Sequence, residues 1–272
     1  MEKIIAILSV MLLIIATIGI VSGVDVPMTA TVLGVGPNVD SVIIADASPT
    51  AGTTTQITIT TQITDTNGVD DITTVSAAFT AGSPANGNSI TMARGTHCSD
   101  VDTDTIECTA TYDMQFYDTP GTDAYTVEIT TQDVSTTSDT DSEAFSYSTL
   151  KALDLDATTI EFGDLAISAT GTVLGDTDMG DAAEPTIQND GNVIIDIGMI
   201  GEALTGADTI TVDNSAYRFD DGIYVPFTAI KVTNTINLAV GASSLNKIDF
   251  QLTIPVGSLP GAYSADIGVT SE

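Results

Sequence analysis

The sequence predicts an all-β protein of two tandem β-sandwich domains behind an N-terminal apolar segment. Segments of alternating apolar and polar residues recur along the chain, the period of a strand with one face on a core and one in water. Turn residues punctuate these segments, and no amphipathic helix of useful length is present. A Pro-Gly turn leading into a strand with an early tyrosine occurs twice, at Pro120, Gly121 and Tyr125 and again at Pro260, Gly261 and Tyr263. With 272 residues there is room for two domains of roughly 110 to 120 residues each. The expected boundaries are 1–23 for the N-terminal segment, 24–148 for the first sandwich and 149–272 for the second.

Residues 4–21 are almost wholly apolar behind Met1-Glu2-Lys3, and Val21-Ser22-Gly23 offers small or aliphatic residues where a signal peptidase cleaves. A run of about 18 residues also reaches across a bilayer, so an uncleaved anchor is the alternative to a signal peptide. No second such run follows, and the chain ends on Thr270-Ser271-Glu272, so no C-terminal anchor is expected. Both readings put the protein outside the cell or on its surface.

The net charge is -31, from 37 acidic and 6 basic residues, and 29 of the acids are Asp. Such a field repels phosphate backbones and anionic lipid and draws in cations. Nucleic acid is therefore excluded as a partner, and membrane contact is expected only through the N-terminal segment if it stays uncleaved. The plainer meaning of the charge is solubility at high ionic strength. Thr is also abundant at the polar positions of alternating segments, as at Thr58, Thr60 and Thr64, where a β-branched hydroxyl residue suits a solvated strand face. No Asn-x-Ser/Thr acceptor occurs.

Taken in order, residues 28–35 and 41–45 read as short strands around a turn at Gly36-Pro37-Asn38. Residues 55–64 form the clearest half-buried strand, with Ile57, Ile59 and Ile63 on one parity. The turn Asp65-Thr66-Asn67-Gly68-Val69-Asp70-Asp71-Ile72 follows, with Asn-Gly and Asx-turn chemistry. Residues 72–80 and 89–94 continue as strands, with Val75, Ala77 and Phe79 on one face of the former and Ile90 and Met92 on one face of the latter. Cys98 and Cys108, in an exported chain, are expected to form a disulfide across a hairpin, worth on the order of 3 kcal/mol. Ile106, Cys108, Ala110, Tyr112, Met114 and Phe116 share a parity and should point inward. Residues 125–131 and 143–148 complete the first domain, and residues 149–153 form a short, stiff connection.

In the second domain residues 153–162 read as a strand and residues 170–184 as a loop rich in Gly and Asp. Residues 185–197 give a strand, an Asp190-Gly191 turn and a strand, the pattern of a hairpin. Residues 209–212, 227–236, 247–254 and 263–269 supply the remaining strands.

Tyr125, just inside a strand after a turn, resembles the tyrosine corner of immunoglobulin-like sandwiches, and Tyr263 repeats the arrangement. The turn Asp65-x-Asn67-Gly68-x-x-Asp71-Ile72 resembles a motif of archaeal exported proteins with tandem immunoglobulin-like domains. Phe162-Gly163-Asp164-Leu165 and Asn189-Asp190-Gly191-Asn192-Val193 resemble the same group, and more weakly the fibre-forming TasA and camelysin proteins. The resemblance implies an extracellular surface role and no chemistry.

Catalytic machinery is absent from the sequence. The single His, His97, stands beside Cys98, and no Gly-x-Ser-x-Gly elbow or phosphate loop occurs. Calcium is the one cofactor to weigh, because it needs several converging oxygens. Three groups match on paper: Asp65, Asn67, Asp70 and Asp71; Asp100, Asp102, Asp104 and Glu107; and Asp176, Asp178, Asp181 and Glu184. None has the EF-hand order, and with so many Asp such spacings arise by chance, so solvated loops are the plainer reading of each. The expected function is a non-enzymatic extracellular surface protein with a structural or adhesive role, its partners other surface proteins or copies of itself. Two alternatives stand beside it: a filament subunit in which residues 24–35 donate a strand to a neighbour, and a calcium-dependent carbohydrate-binding protein.

Overall fold

The computed structural model describes residues 34–272. The N-terminal apolar run, and the strand expected from residue 28, lie outside or at the margin of the described residues. From Val35 to Glu272 the chain forms one compact unit, all-β and antiparallel in its sheets, with two separate apolar cores. No helix among the described residues is long and apolar enough to cross a membrane.

The first core lies between two four-stranded sheets. Its strands are β1 (Asn38–Ile44), β2 (Thr55–Thr64), β3 (Ile72–Ala81), β4 (Ser89–Ile90), β5 (Cys98–Asp100), β6 (Thr105–Met114), β7 (Gly121–Asp133) and β8 (Ser138–Tyr147). One sheet runs β1-β2-β6-β5 and the other β4-β3-β7-β8. That is the immunoglobulin order, A-B-E-D against C′-C-F-G. The alternation of residues 55–64 and 106–116 is reproduced residue for residue: Ile57, Ile59, Ile63, Ile106, Cys108, Ala110, Tyr112, Met114 and Phe116 are all buried. Residues 89–94 form a much shorter strand than expected, because the chain leaves β3 after two residues to turn toward Cys98.

Cys98 and Cys108 are register partners on β5 and β6 and are bonded to each other. The disulfide therefore joins two neighbouring strands of one sheet and does not cross the core. Aromatic rings fill the centre, with Phe79 against Tyr112 at 4.9 Å and Tyr125 stacked on Phe145 at 5.4 Å. Tyr125 sits at the start of the F-equivalent strand and its hydroxyl donates to the Thr119 carbonyl at 3.0 Å, the tyrosine-corner geometry. Tyr112 and Tyr147 likewise donate to the carbonyls of Gly87 (2.7 Å) and Gln115 (3.0 Å). Gly82, at φ +76, lies under Tyr125, where a Cβ would come within 2.3 Å of the ring.

The second core is built from β9 (Leu153–Leu155), β10 (Thr170–Val173), β11 (Thr186–Asn189), β12 (Ile195–Gly201), β13 (Leu204–Thr205), β14 (Thr209–Ile210), β15 (Ser215–Phe219), β16 (Val225–Pro226), β17 (Val232–Leu238), β18 (Leu245–Thr253) and β19 (Ile267–Ser271). One sheet runs β16-β15-β18-β11-β9 with β10 also on β18, and a three-stranded sheet runs β17-β12-β19. Ile187, Ile195, Ile197, Met199, Tyr217, Phe227, Ile248 and Phe250 pack between them.

Several expected strands are corrected here. The strand at 153–162 stops at Leu155, where the Asp156 carboxylate accepts from the Thr186 amide (2.8 Å) and takes the chain off the sheet. Within the loop expected at 170–184, Thr170–Val173 is a strand, because it pairs with β18 from Thr253 to Phe250. The hairpin at 185–197 does not form: β11 pairs with β9 and β18, whereas β12 pairs with β17 and β19. The Asp190-Gly191 turn therefore carries the chain from one sheet to the other. The strands at 209–212, 227–236 and 263–269 are shifted to Thr209–Ile210, Val232–Leu238 and Ile267–Ser271.

That same turn grips the connection between the two cores. Asn192 accepts from the Leu150 amide at 2.7 Å and donates to the Ser148 carbonyl at 2.9 Å. Asp190 N donates to Ala152 O at 3.1 Å, and Gly52 of the β1–β2 loop donates to Asp190 O at 3.2 Å. Gly191 is required there, because a Cβ would lie 2.3 Å from the Leu150 carbonyl oxygen.

Tyr263 differs from Tyr125 in its surroundings. Its hydroxyl donates to the Leu259 carbonyl at 2.7 Å and to the Asp208 carboxylate, but its ring is half-exposed and lies outside the second core. Tyr125→Phe is therefore expected to destabilise the first sandwich by about 1 kcal/mol, the usual worth of a buried hydroxyl's bond. Tyr263→Phe should lower the melting of the second sandwich less. Thermal unfolding of the two variants checks this; equal losses would contradict it.

Candidate metal centre

Five carboxylates among the groups singled out in the sequence converge in the structure, in two places. The first centre lies at one end of the first sandwich and joins Asp65, Asp71 and Asp133, one oxygen from each lying within 4.8 Å of the others. Asp65 directly follows β2, Asp71 ends a single 3-10 turn over Val69–Asp71, and Asp133 is the last residue of β7. Two carboxylates thus come from the ends of strands in opposite sheets, with the turn between them.

Local bonding fixes one oxygen of two of these acids. Asp65 Oδ1 accepts from the Asn67 amide at 2.8 Å, and Asp133 Oδ1 accepts from the Thr137 amide at 2.7 Å. The backbone is held as well: Asp65 N donates to Asp104 O (2.8 Å), Asp71 N to Gly68 O (3.0 Å), and Val134 N to Asp71 O (3.0 Å). The remaining oxygens, Oδ2 of Asp65, Asp71 and Asp133, are all buried and without a hydrogen-bond partner. Asp65 is 0% exposed and Asp133 2%. Burial pushes the Asp65 carboxyl above the usual range, the Asn67 amide pulls it back, and the charges of Asp71, Asp133 and Asp104 push it further up.

Two residues expected at this centre are elsewhere. Asn67 turns its Oδ1 toward the Val35 amide at 3.4 Å. Asp70 is fully exposed and 3.9 Å from the Arg94 guanidinium. Asp133 was not anticipated, being distant in sequence. The signal was its parity: it continues the inward-facing series Tyr125, Val127, Ile129 and Thr131, as Asp65 continues Ile57, Ile59, Thr61 and Ile63.

The group Asp100, Asp102, Asp104 and Glu107 does not converge. Asp102 Oδ1 accepts from the amides of Asp104 (2.9 Å) and Thr105 (2.8 Å), and these bonds hold its carboxyl below the usual range. Asp100 stands 3.7 Å from Arg94, and Glu107 accepts from Gln62 at 3.3 Å. In the third group Asp176, Asp181 and Glu184 approach one another, but Asp181 and Glu184 are exposed. Asp176 Oδ1 accepts from the Asp178 amide and the Thr186 hydroxyl, both at 2.8 Å, and its carboxyl is held low, chiefly by the Asp178 amide. Asp178 itself caps the Gly180 amide at 2.9 Å. These are solvated loops with their own local bonds. His97 Nδ1 accepts from the Ala93 amide at 3.1 Å.

Neither a family model nor a curated protein matches the chain. Among solved structures it is similar to the adhesin InvE of Yersinia pseudotuberculosis (14% identity, TM-score 0.28), covering 85% of this chain and 55% of that one. The secreted serine protease VesC from Vibrio cholerae gives 10% identity and a TM-score of 0.25, covering 84% of this chain and 49% of the other. The chain thus spans about half the length of each of these two. A complex of Dpr11 IG1 with DIP-gamma IG+IG2 gives 10% identity and a TM-score of 0.28 over 86% of this chain and 96% of that one. The immunoglobulin order of the first sandwich rests on its own strand pairing.

Proposed function

We propose that the chain is an exported, non-enzymatic surface protein with a structural or adhesive role, engaging other surface proteins or copies of itself. The observation that supports this most is the junction. Asn192, Asp190 and Gly191 bond to or pack on residues 148–152, and Asp190 is also bonded from the first sandwich through Gly52. Such a joint transmits force and fixes one β body against the other, which a structural or adhesive module needs and a freely hinged one lacks. The disulfide fits an oxidising compartment.

Strand donation by residues 24–35 to a neighbour is the alternative. A donated strand needs an open edge, and the outer strands of the first sandwich are β1 and β5 in one sheet and β4 and β8 in the other. A single bridge at Ala47, through bonds to Ser146 and Ser148, ties the segment after β1 to β8.

Expression of the full chain in an exporting host tests the reading. Protease added to intact cells should degrade the protein, and unreduced peptides should carry Cys98 joined to Cys108. A protease-protected chain with both thiols free would overturn it.

A further inference from the structure

We propose that Asp65, Asp71 and Asp133 bind a hard divalent cation of the calcium class, which fastens the two sheets of the first sandwich together at one end. Three buried carboxylate oxygens without partners are costly to leave unmet, since an unpaired buried charge is strongly destabilising. Among the described residues no protein cation meets them: the Arg94 guanidinium is engaged with Val69 O at 2.6 Å and faces Asp70 and Asp100. The spacing of the three carboxylates suits an ion. Two oxygens bound to one Ca2+ at about 2.4 Å lie at most about 4.8 Å apart, and one oxygen from each of the three carboxylates satisfies that limit.

The donor set selects the ion. With oxygen ligands only, and neither His nor Cys in the group, thiophilic and imidazole-seeking metals are disfavoured. Mg2+ retains several waters in a strict octahedron, for which a site this buried leaves little room, whereas Ca2+ accepts irregular oxygen shells. Bound there, the ion would link the end of β2, the 3-10 turn and the end of β7. Through Asn67 and Val35 it would also steady the point where the chain enters the sandwich.

The test uses the full chain, stripped with chelator and kept in about 1 M potassium chloride, so that diffuse attraction to the acidic surface is screened. Calcium at millimolar concentration should raise the melting temperature of the first sandwich by about 5 °C or more, and magnesium should raise it less. Asp133→Asn should abolish the shift. Without calcium the same variant should melt no lower than the native chain, because one of three crowded charges is gone while the Asn carbonyl can still accept from Thr137. Asp71→Asn should behave alike, and Asp176→Asn should leave the shift intact. No shift with either ion would overturn the proposal, as would a shift that survives both Asp133→Asn and Asp71→Asn, the mark of diffuse binding. If those variants fail to fold, equilibrium dialysis of radioactive calcium decides on the native chain: one tightly held ion supports the site, and none overturns it.

Discussion

Asn189→Ala is expected to remove about 3 kcal/mol from the second sandwich while leaving the first unchanged. Asn189 is 0% exposed. Its Nδ2, with two protons to donate, lies within hydrogen-bond reach of three backbone carbonyls, Val193 (2.8 Å), Leu238 (3.1 Å) and Ala239 (2.9 Å), and its Oδ1 accepts from the Gly191 amide at 2.9 Å. One amide thus ties the turn after β11 to the end of β17 in the opposite sheet. Alanine would leave these groups without a partner in a site that admits little water, and each such loss is destabilising by roughly 1 to 3 kcal/mol where burial is complete. Asn189→Asp sharpens the test. The carboxylate still accepts from Gly191 but has no proton to offer three carbonyls at neutral pH, so it should be at least as damaging as alanine and recover partly in acid. Hydrogen exchange resolved by peptide reads both variants; unchanged protection over 185–201 and 232–253 would contradict the prediction.

The role of Asn189 also shows what was legible in the sequence. Strand identity was, where one face is buried and the other wet: residues 55–64 alternate cleanly because β2 has a solvated face, and the structure reproduces that strand at both ends. Partner choice was not. Asp190-Gly191 is a turn in sequence and in structure, but whether the flanking strands pair is decided by the sheets they join, which is tertiary information. Ile187 and Ile197 both point into the core, from opposite sheets, and local pattern cannot distinguish this from a hairpin. At the candidate metal centre, proximity in sequence suggested Asn67 and Asp70, whose side chains face away. The better guide was parity, since Asp65 and Asp133 each stand where an apolar residue would continue the inward face.

Between pH 10 and 12 the first sandwich is expected to lose on the order of 2 to 5 kcal/mol of stability, with tyrosine ionisation and unfolding proceeding together. Burial pushes the Tyr112 hydroxyl up to about 12, helped by the charge of Asp118. Burial likewise pushes Tyr125 up to about 12, helped chiefly by Asp118. Tyr147 is raised for the same first reason. Each hydroxyl donates to a backbone carbonyl, and a phenolate has no proton to donate. An acid whose pKa is raised by folding holds its proton in the native state longer than in the unfolded chain. The stabilisation is therefore complete below the unfolded value near 10 and is lost as the pH climbs toward 12. Tyr125→Phe separates this from a general alkaline effect of the -31 charge. It should be less stable than the native chain at neutral pH, for want of the bond to Thr119, yet lose stability less steeply above pH 10. Parallel curves for the two proteins would show that the Tyr125 hydroxyl ionises freely in the folded state.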